Sequence, residues 1–201
     1  MSDTYVRTDE NVFDTWIQSN NSNNYVTRDV LEISRGASYY QVGLIRWTDL
    51  AGGSVIPLGR SVISATMDIS IRYKSSASPT TIQVYRSLIS WNSAQATGYV
   101  HHTGELWNVA GSRGFGTDVS ADPIGFIANF NPTTYSTRHI PLQPYWIYQM
   151  INGLVTDYGF AIMLSADSPY VQYKIGSEES DHPVSITVVL GTENDSEVLI
   201  M

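Results

Sequence analysis

Apolar and polar residues alternate most regularly between Ser61 and Tyr73. Ile63, Ala65, Met67, Ile69, Ile71 and Tyr73 fall on one side of the pattern, and Ser64, Thr66, Asp68, Ser70 and Arg72 on the other. A period of two belongs to a strand with one face in a core and the other in water. The pattern therefore predicts Ile63, Met67, Ile69 and Ile71 buried, with Asp68 and Arg72 exposed. Shorter alternating runs predict strands at 81–85, 158–164, 170–175 and 184–190, with earlier ones at 14–17, 30–33 and 41–47. Turn-forming residues separate them at 20–24, 51–53, 75–79 and 177–183. One helix is expected: Pro144 suits its first turn, Trp146, Ile147, Met150 and Ile151 form an apolar stripe, and Gly153 suits the C-terminal cap. Residues 93–135 show little alternation and are rich in Gly, Asn, Thr and Pro, which predicts a long ordered excursion. Loops of that length inside compact domains usually serve function. Together these signals predict an all-β chain: a jelly-roll-like antiparallel β-sandwich of at least eight strands in two packed sheets, with one short helix and one long excursion. The expected organisation is one domain over 1–192 and an acidic tail over 193–201 that ends in Val198, Leu199, Ile200 and Met201.

Composition narrows the function classes. The chain has 201 residues and a formal charge of −8, with Lys74 and Lys174 its only lysines and nine arginines scattered along it. A nucleic-acid backbone needs clustered cations, so nucleic acid is not an expected partner. The chain contains no cysteine, which removes disulfides, thiol catalysis and cysteine metal sites. No apolar run reaches the roughly 20 residues of a membrane-spanning helix. Met1-Ser-Asp-Thr-Tyr5 has neither the basic start nor the apolar stretch of a signal peptide. Either a leader has been removed or release follows a route other than secretion.

The order of short segments resembles that of the DNRLRE domain family. Asp14-Thr-Trp-Ile17, the stretch from Asn20 to Tyr25 and Asp29-Val-Leu-Glu-Ile33 resemble its opening, and Gly43-Leu-Ile-Arg-Trp47 resembles its Leu-x-Arg-Phe strand. Val62-Ile-Ser-Ala-Thr-Met67, then Val84-Tyr-Arg86 with Trp91, follow in family order. Leu106-Trp-Asn-Val-Ala-Gly111, Gly116-Thr-Asp118 and Ala121-Asp-Pro123 resemble a loop of many members. Tyr145 to Gly153, Asp157-Tyr-Gly-Phe160 and Val184 to Leu190 complete the series. The likeness spans residues 3–191. It departs at Gln41-Val42-Gly43, where members often carry a basic residue. It implies a jelly-roll-like sandwich that serves as a non-catalytic module of exported adhesive, matrix and glycan-active proteins, or stands alone among tailed-phage proteins. It also implies that Trp47, Trp107 and Trp146 are core residues.

Candidate chemistry is sparse. His101 and His102 are adjacent, so on a strand they point oppositely, and no further ligand follows at metal spacing; they are expected to be ordinary loop histidines. Asp118 and Asp122 share a glycine-rich loop and are the better pair for a structural calcium ion, while Glu178, Glu179 and Asp181 form a second acidic group. No cofactor is required by any pattern. Neither a Gly-x-Ser-x-Gly elbow nor a phosphate loop is present, so no enzymatic activity is expected. Tyr39, Tyr40, Tyr99 and Tyr135 are expected in loops, where they can stack on a partner or on sugar rings. The leading expectation is a structural subunit of a bacteriophage virion, a capsid decoration or fibre-like protein. It would associate with itself, a trimer being favoured, and with other virion proteins, being made in the host cytoplasm and freed by lysis. The alternative is an extracellular carbohydrate-binding module that recognises surface glycans.

Overall fold

A computed structural model of the chain describes residues 2–7, 11–53, 55–132 and 135–191. The tail from 193 onward, with its apolar end at Val198 to Met201, lies outside the described residues. Thirteen strands and one helix occur among those described: β1 (Asp3–Arg7), β2 (Val12–Gln18), β3 (Val30–Arg35), β4 (Tyr40–Trp47), β5 (Val62–Lys74), β6 (Thr80–Arg86), β7 (Val100–His102), β8 (Glu105–Leu106), β9 (Gly125–Phe130), β10 (Ser136–Leu142), α1 (Pro144–Ile151), β11 (Phe160–Leu164), β12 (Val171–Gly176) and β13 (Ser185–Leu190). The chain is all-β, as its alternation predicts, and every named strand pairing is antiparallel.

The two-sheet sandwich is corrected. Eleven strands form one sheet, and eight of them close on themselves in the order β5-β10-β9-β6-β11-β4-β3-β12 and back to β5. Closure follows from two strands whose edges are shared. Met67 pairs with Ile140 of β10 and Ile186 of β13, and Ile71 pairs with Ser136 of β10 and Ile175 of β12. One edge of β5 is thus all β10, and the other is divided between β13 and β12. Likewise Gln41 pairs with Gln18 and Ser34, and Gly43 with Trp16 and Ile162, so β2 follows one edge of β4 while β11 and β3 divide the other. The β3–β12 pair bridges these two branch points and shuts the barrel. Alternation reveals which face a residue takes but not which edges meet, so closure was invisible in the sequence.

The apolar side of β5 is where the pattern put it at Ala65, Met67, Ile69 and Ile71, all 3% exposed or less. It fails at both ends. Ser64 pairs with Val189 and Val62 with Leu190, skipping Ile63. This bulge moves Val62 into the core and leaves Ile63 55% exposed. A second bulge skips Arg72 between Ile71 and Tyr73, and Tyr73 lies exposed. Asp68 and Arg72 are half-buried, not exposed.

The main core fills the barrel with aliphatic side chains, Trp47 and Phe160, and α1 adds Ile147, Met150 and Ile151 to it. Trp146 is only half-buried, under the guanidinium of Arg86 at 5.0 Å. A second, smaller core lies on the outer face of β4, β6 and β11. There Val42, Leu44, Tyr85, Ala161 and Met163 pack under Trp91, Ala96, Trp107 and Val119 of the connection 87–124. The expected excursion exists, but it is a lid on the sheet rather than a free loop, and its last part forms β9.

Candidate functional site

Where β2, β3 and β12 meet, side chains gather that the packing of the barrel does not consume. The asparagine-rich stretch after β2 is wired by its own side chains: Asn23 N–H donates to Asn21 Oδ1 and Val26 N–H to Asn24 Oδ1, at 2.8 and 3.1 Å. Such short-range bonds fix tight turns. Asn24 Nδ2 donates to the carbonyls of Ser93 and Ala96 at 2.6 and 2.9 Å, tying the turn to the excursion. Asn21 Nδ2 holds the Tyr25 hydroxyl at 3.1 Å. The Tyr25 ring then lies flat on Trp16, with centroids 3.6 Å apart and planes 9° from parallel.

This stack forms one wall of a cleft of about 330 Å³, whose other walls are Arg28, Asp29, Glu32 and Lys174. That volume is at the small end of the ligand-site range. Glu32 is fully engaged: Lys174 Nζ is 2.9 Å from Oε1, and Gln41 and Gln172 donate to Oε2 at 2.9 and 2.8 Å. Arg28 and Asp29 stand exposed at the rim. Trp16 is buried, and its indole N–H has no hydrogen-bond partner among the described residues. A flat aromatic wall with a polar rim suits a ligand with one apolar face and hydrogen-bonding edges.

Two residues before Trp16, Asp14 belongs to a carboxylate group with Glu178 and Glu179, one oxygen of each lying within 4.8 Å of the others. Ser177 joins this group to the cleft, its hydroxyl oxygen lying 2.7 Å from the Arg28 carbonyl and 2.8 Å from Glu179, with one proton to donate to either. Asp14 is 1% exposed. Burial pushes its pKa up to about 8; the Glu178 N–H bond pulls against this, and the charges of Glu179 and Glu178 add to it. Glu178 is raised as well, by burial and then by Glu179. Among the described residues, these three are the ones that could together hold a hard cation. Without one, Asp14 keeps its proton near neutral pH. Sequence reasoning grouped Glu178 and Glu179 but missed Asp14, whose signal was an acid inside the apolar strand Val12-Phe-Asp-Thr-Trp-Ile17.

Asp118 and Asp122 sit in different settings on their loop. Asp118 is fully buried, and its carboxylate accepts Asn108 N–H and Nδ2, Val109 N–H and Gly114 N–H, at 2.8 to 2.9 Å. Four donors leave it no lone pair for an ion, and Asp122 is exposed elsewhere on the loop. Asp118 organises the excursion instead. His101 is buried against Trp107, with Glu105 at 3.7 Å, and His102 bonds Ser90. Glu105 is an acid partner that spacing did not reveal. His139 pairs with Asp68 at 2.7 Å.

The four expected tyrosines do not converge. Tyr39 and Tyr40 are half-buried at the β3–β4 turn, and Tyr40 meets the excursion through Arg113. Tyr99, on the excursion, is 44% exposed. Tyr135 stands apart at the start of β10, 79% exposed with Arg72 over its ring. The chain matches no family model, and no curated protein is significantly similar to it.

Proposed function

We propose that the protein is a non-catalytic structural and interaction subunit of a bacteriophage virion, a decoration or fibre-like component that works through protein–protein contacts. The observation that carries this reading is the excursion. It is braced internally by Asp118 and by the Trp107 indole bond to the Thr97 carbonyl at 2.9 Å, and tied to the chain before β11 by the Trp91 indole bond to the Tyr158 carbonyl at 2.8 Å. Its outer side nevertheless presents Tyr99, Leu106, Val109 and Phe115, each between 44% and 70% exposed. Apolar side chains held rigidly outward are the makings of a contact surface. The resemblance to stand-alone DNRLRE modules supports the same reading, although a closed barrel departs from the sandwich which that family implies. Light scattering with mass determination tests it: a symmetric homo-oligomer is expected, a trimer foremost, dissociated by Leu106→Lys with Val109→Lys. A strict monomer up to millimolar concentration overturns it.

The Trp16–Tyr25 cleft favours a second reading, an extracellular carbohydrate-binding module. A glycan array decides between them. Binding of a defined glycan by a monomer, lost in Tyr25→Ala, installs this alternative.

A further inference from the structure

The arginines of this acidic chain are not evenly provided with counter-charges. Arg7 pairs with Asp49 and Arg60 with Asp3, whereas the other seven arginines form no ion pair among the described residues. Of these, Arg35, Arg46, Arg86 and Arg113 each hold a buried Nε without a hydrogen-bond partner, and Arg35 and Arg113 are the two that share Tyr40 as a neighbour. These two come from segments 78 positions apart and meet around one side chain, Tyr40. Arg113 lies on the Tyr40 ring, its guanidinium carbon 3.5 Å from the centroid, with the Phe115 ring at 5.8 Å. Arg35 has the Tyr170 ring at 5.6 Å, and its Nη1 donates to the Ser168 carbonyl. A guanidinium lying on an aromatic face keeps its N–H edge for a ligand, and that planar fork matches oxyanions bidentately. Both arginines, Tyr39 and Tyr40 are half-buried, while Tyr170 and Phe115 are exposed, so the cluster opens to solvent.

We propose that Arg35, Arg113 and Tyr40 form a binding site for a tetrahedral oxyanion, a sulfate or phosphate group. Two fixed cations repel each other, and a dianion between them removes that repulsion. The Tyr40 hydroxyl behaves as a sensor of the same field. Its pKa lies below the ordinary phenol value, through the Arg35 hydrogen bond first and then the Arg113 charge, with burial opposing. The net charge of −8 does not cancel the site, because charges beyond about 10 Å are screened at 0.1 M salt. This site is separate from the Trp16–Tyr25 cleft and stands whether or not the protein assembles.

The test is titration of the full chain, labelled with ¹⁵N, by inorganic sulfate, phosphate and methyl sulfate at low ionic strength. The Nε–Hε signals of Arg35 and Arg113 are expected to shift saturably, and alkaline ultraviolet titration should show the Tyr40 pKa rising when sulfate is bound. Arg35→Gln and Arg113→Gln should each weaken binding at least about tenfold, and Arg138→Gln should leave it unchanged. Should Arg113→Gln loosen the excursion, Arg35→Gln on β3 carries the test. Binding of methyl sulfate identifies the ligand as an ester-linked group, and binding of the inorganic ions alone identifies a free ion. Shifts that grow linearly, match those in sodium chloride of equal ionic strength, or survive Arg35→Gln overturn the proposal.

Discussion

The two faces of the β4–β11–β6 region are buried by different means. Inward, Ile45, Trp47, Ile82, Val84, Phe160, Ile162 and Leu164 meet the rest of the barrel, each 2% exposed or less. Outward, Val42, Leu44, Tyr85, Ala161 and Met163 are sealed by a stretch with almost no regular strand, held by two indole N–H groups and one carboxylate. The inner core spreads its stabilisation over many interchangeable apolar contacts. The outer one concentrates it in a few polar anchors, each with a fixed set of partners. Beyond these three strands, β2 also serves both, giving Val12 and Trp16 to the inner cluster and Ile17 to the outer.

The largest expected effect tests the inner core. Met67→Asp places an unpaired charge at a fully buried position and should cost about 3 kcal/mol or more, read as global loss in urea unfolding. Asp118→Ala should do something different. It strands four N–H donors, at a cost of about 2 kcal/mol, but the damage should stay local. Hydrogen exchange at Asn108, Val109 and Gly114 should quicken while barrel amides remain protected; global unfolding would show that the two layers are a single cooperative unit.

Asp14 probes the seam on β2. Its folded pKa, about 8, lies above its ordinary value of 3.8, so the folded state binds the proton more tightly. The stability this contributes is complete below pH 4 and lost as pH rises towards 8, by at most about 1.4 kcal/mol per pH unit. Melting should therefore come earlier at pH 7.5 than at 6.5, and Asp14→Asn should flatten that slope. The smallest effect belongs to the bulge: Ile63→Thr should shift stability by no more than about 0.5 kcal/mol, whereas an inward Ile63 would cost well over that on denaturant titration.

The inner core was legible because its signal is periodic: eight predicted strands and α1 lie close to their expected places. β1, β7, β8, β9 and β10 were missed. β10 reads Ser-Thr-Arg-His-Ile-Pro-Leu, with only Ile140 and Leu142 buried, and its strand state comes from pairing with β5 rather than from its own pattern. The candidate sites were less legible still. Asp14 meets Glu178, and Arg113 meets Tyr40, only through tertiary packing, and no spacing along the chain encodes either meeting. Asp118 could be noticed as a loop carboxylate, but four N–H donors look the same in sequence as a calcium site.

The divided edge of β5 also sets the order in which the protein can be built. Its partners Ile140, Ile175 and Ile186 all follow it in the chain by roughly 70 to 120 positions. Pairings this remote carry a high loop-closure cost and make folding slow. During synthesis, thirteen residues of β-prone strand must wait with both edges open until almost the whole chain has left the ribosome. That interval is when the chain is most exposed to aggregation. A host short of chaperones should therefore lower the yield of soluble protein more than any surface substitution does.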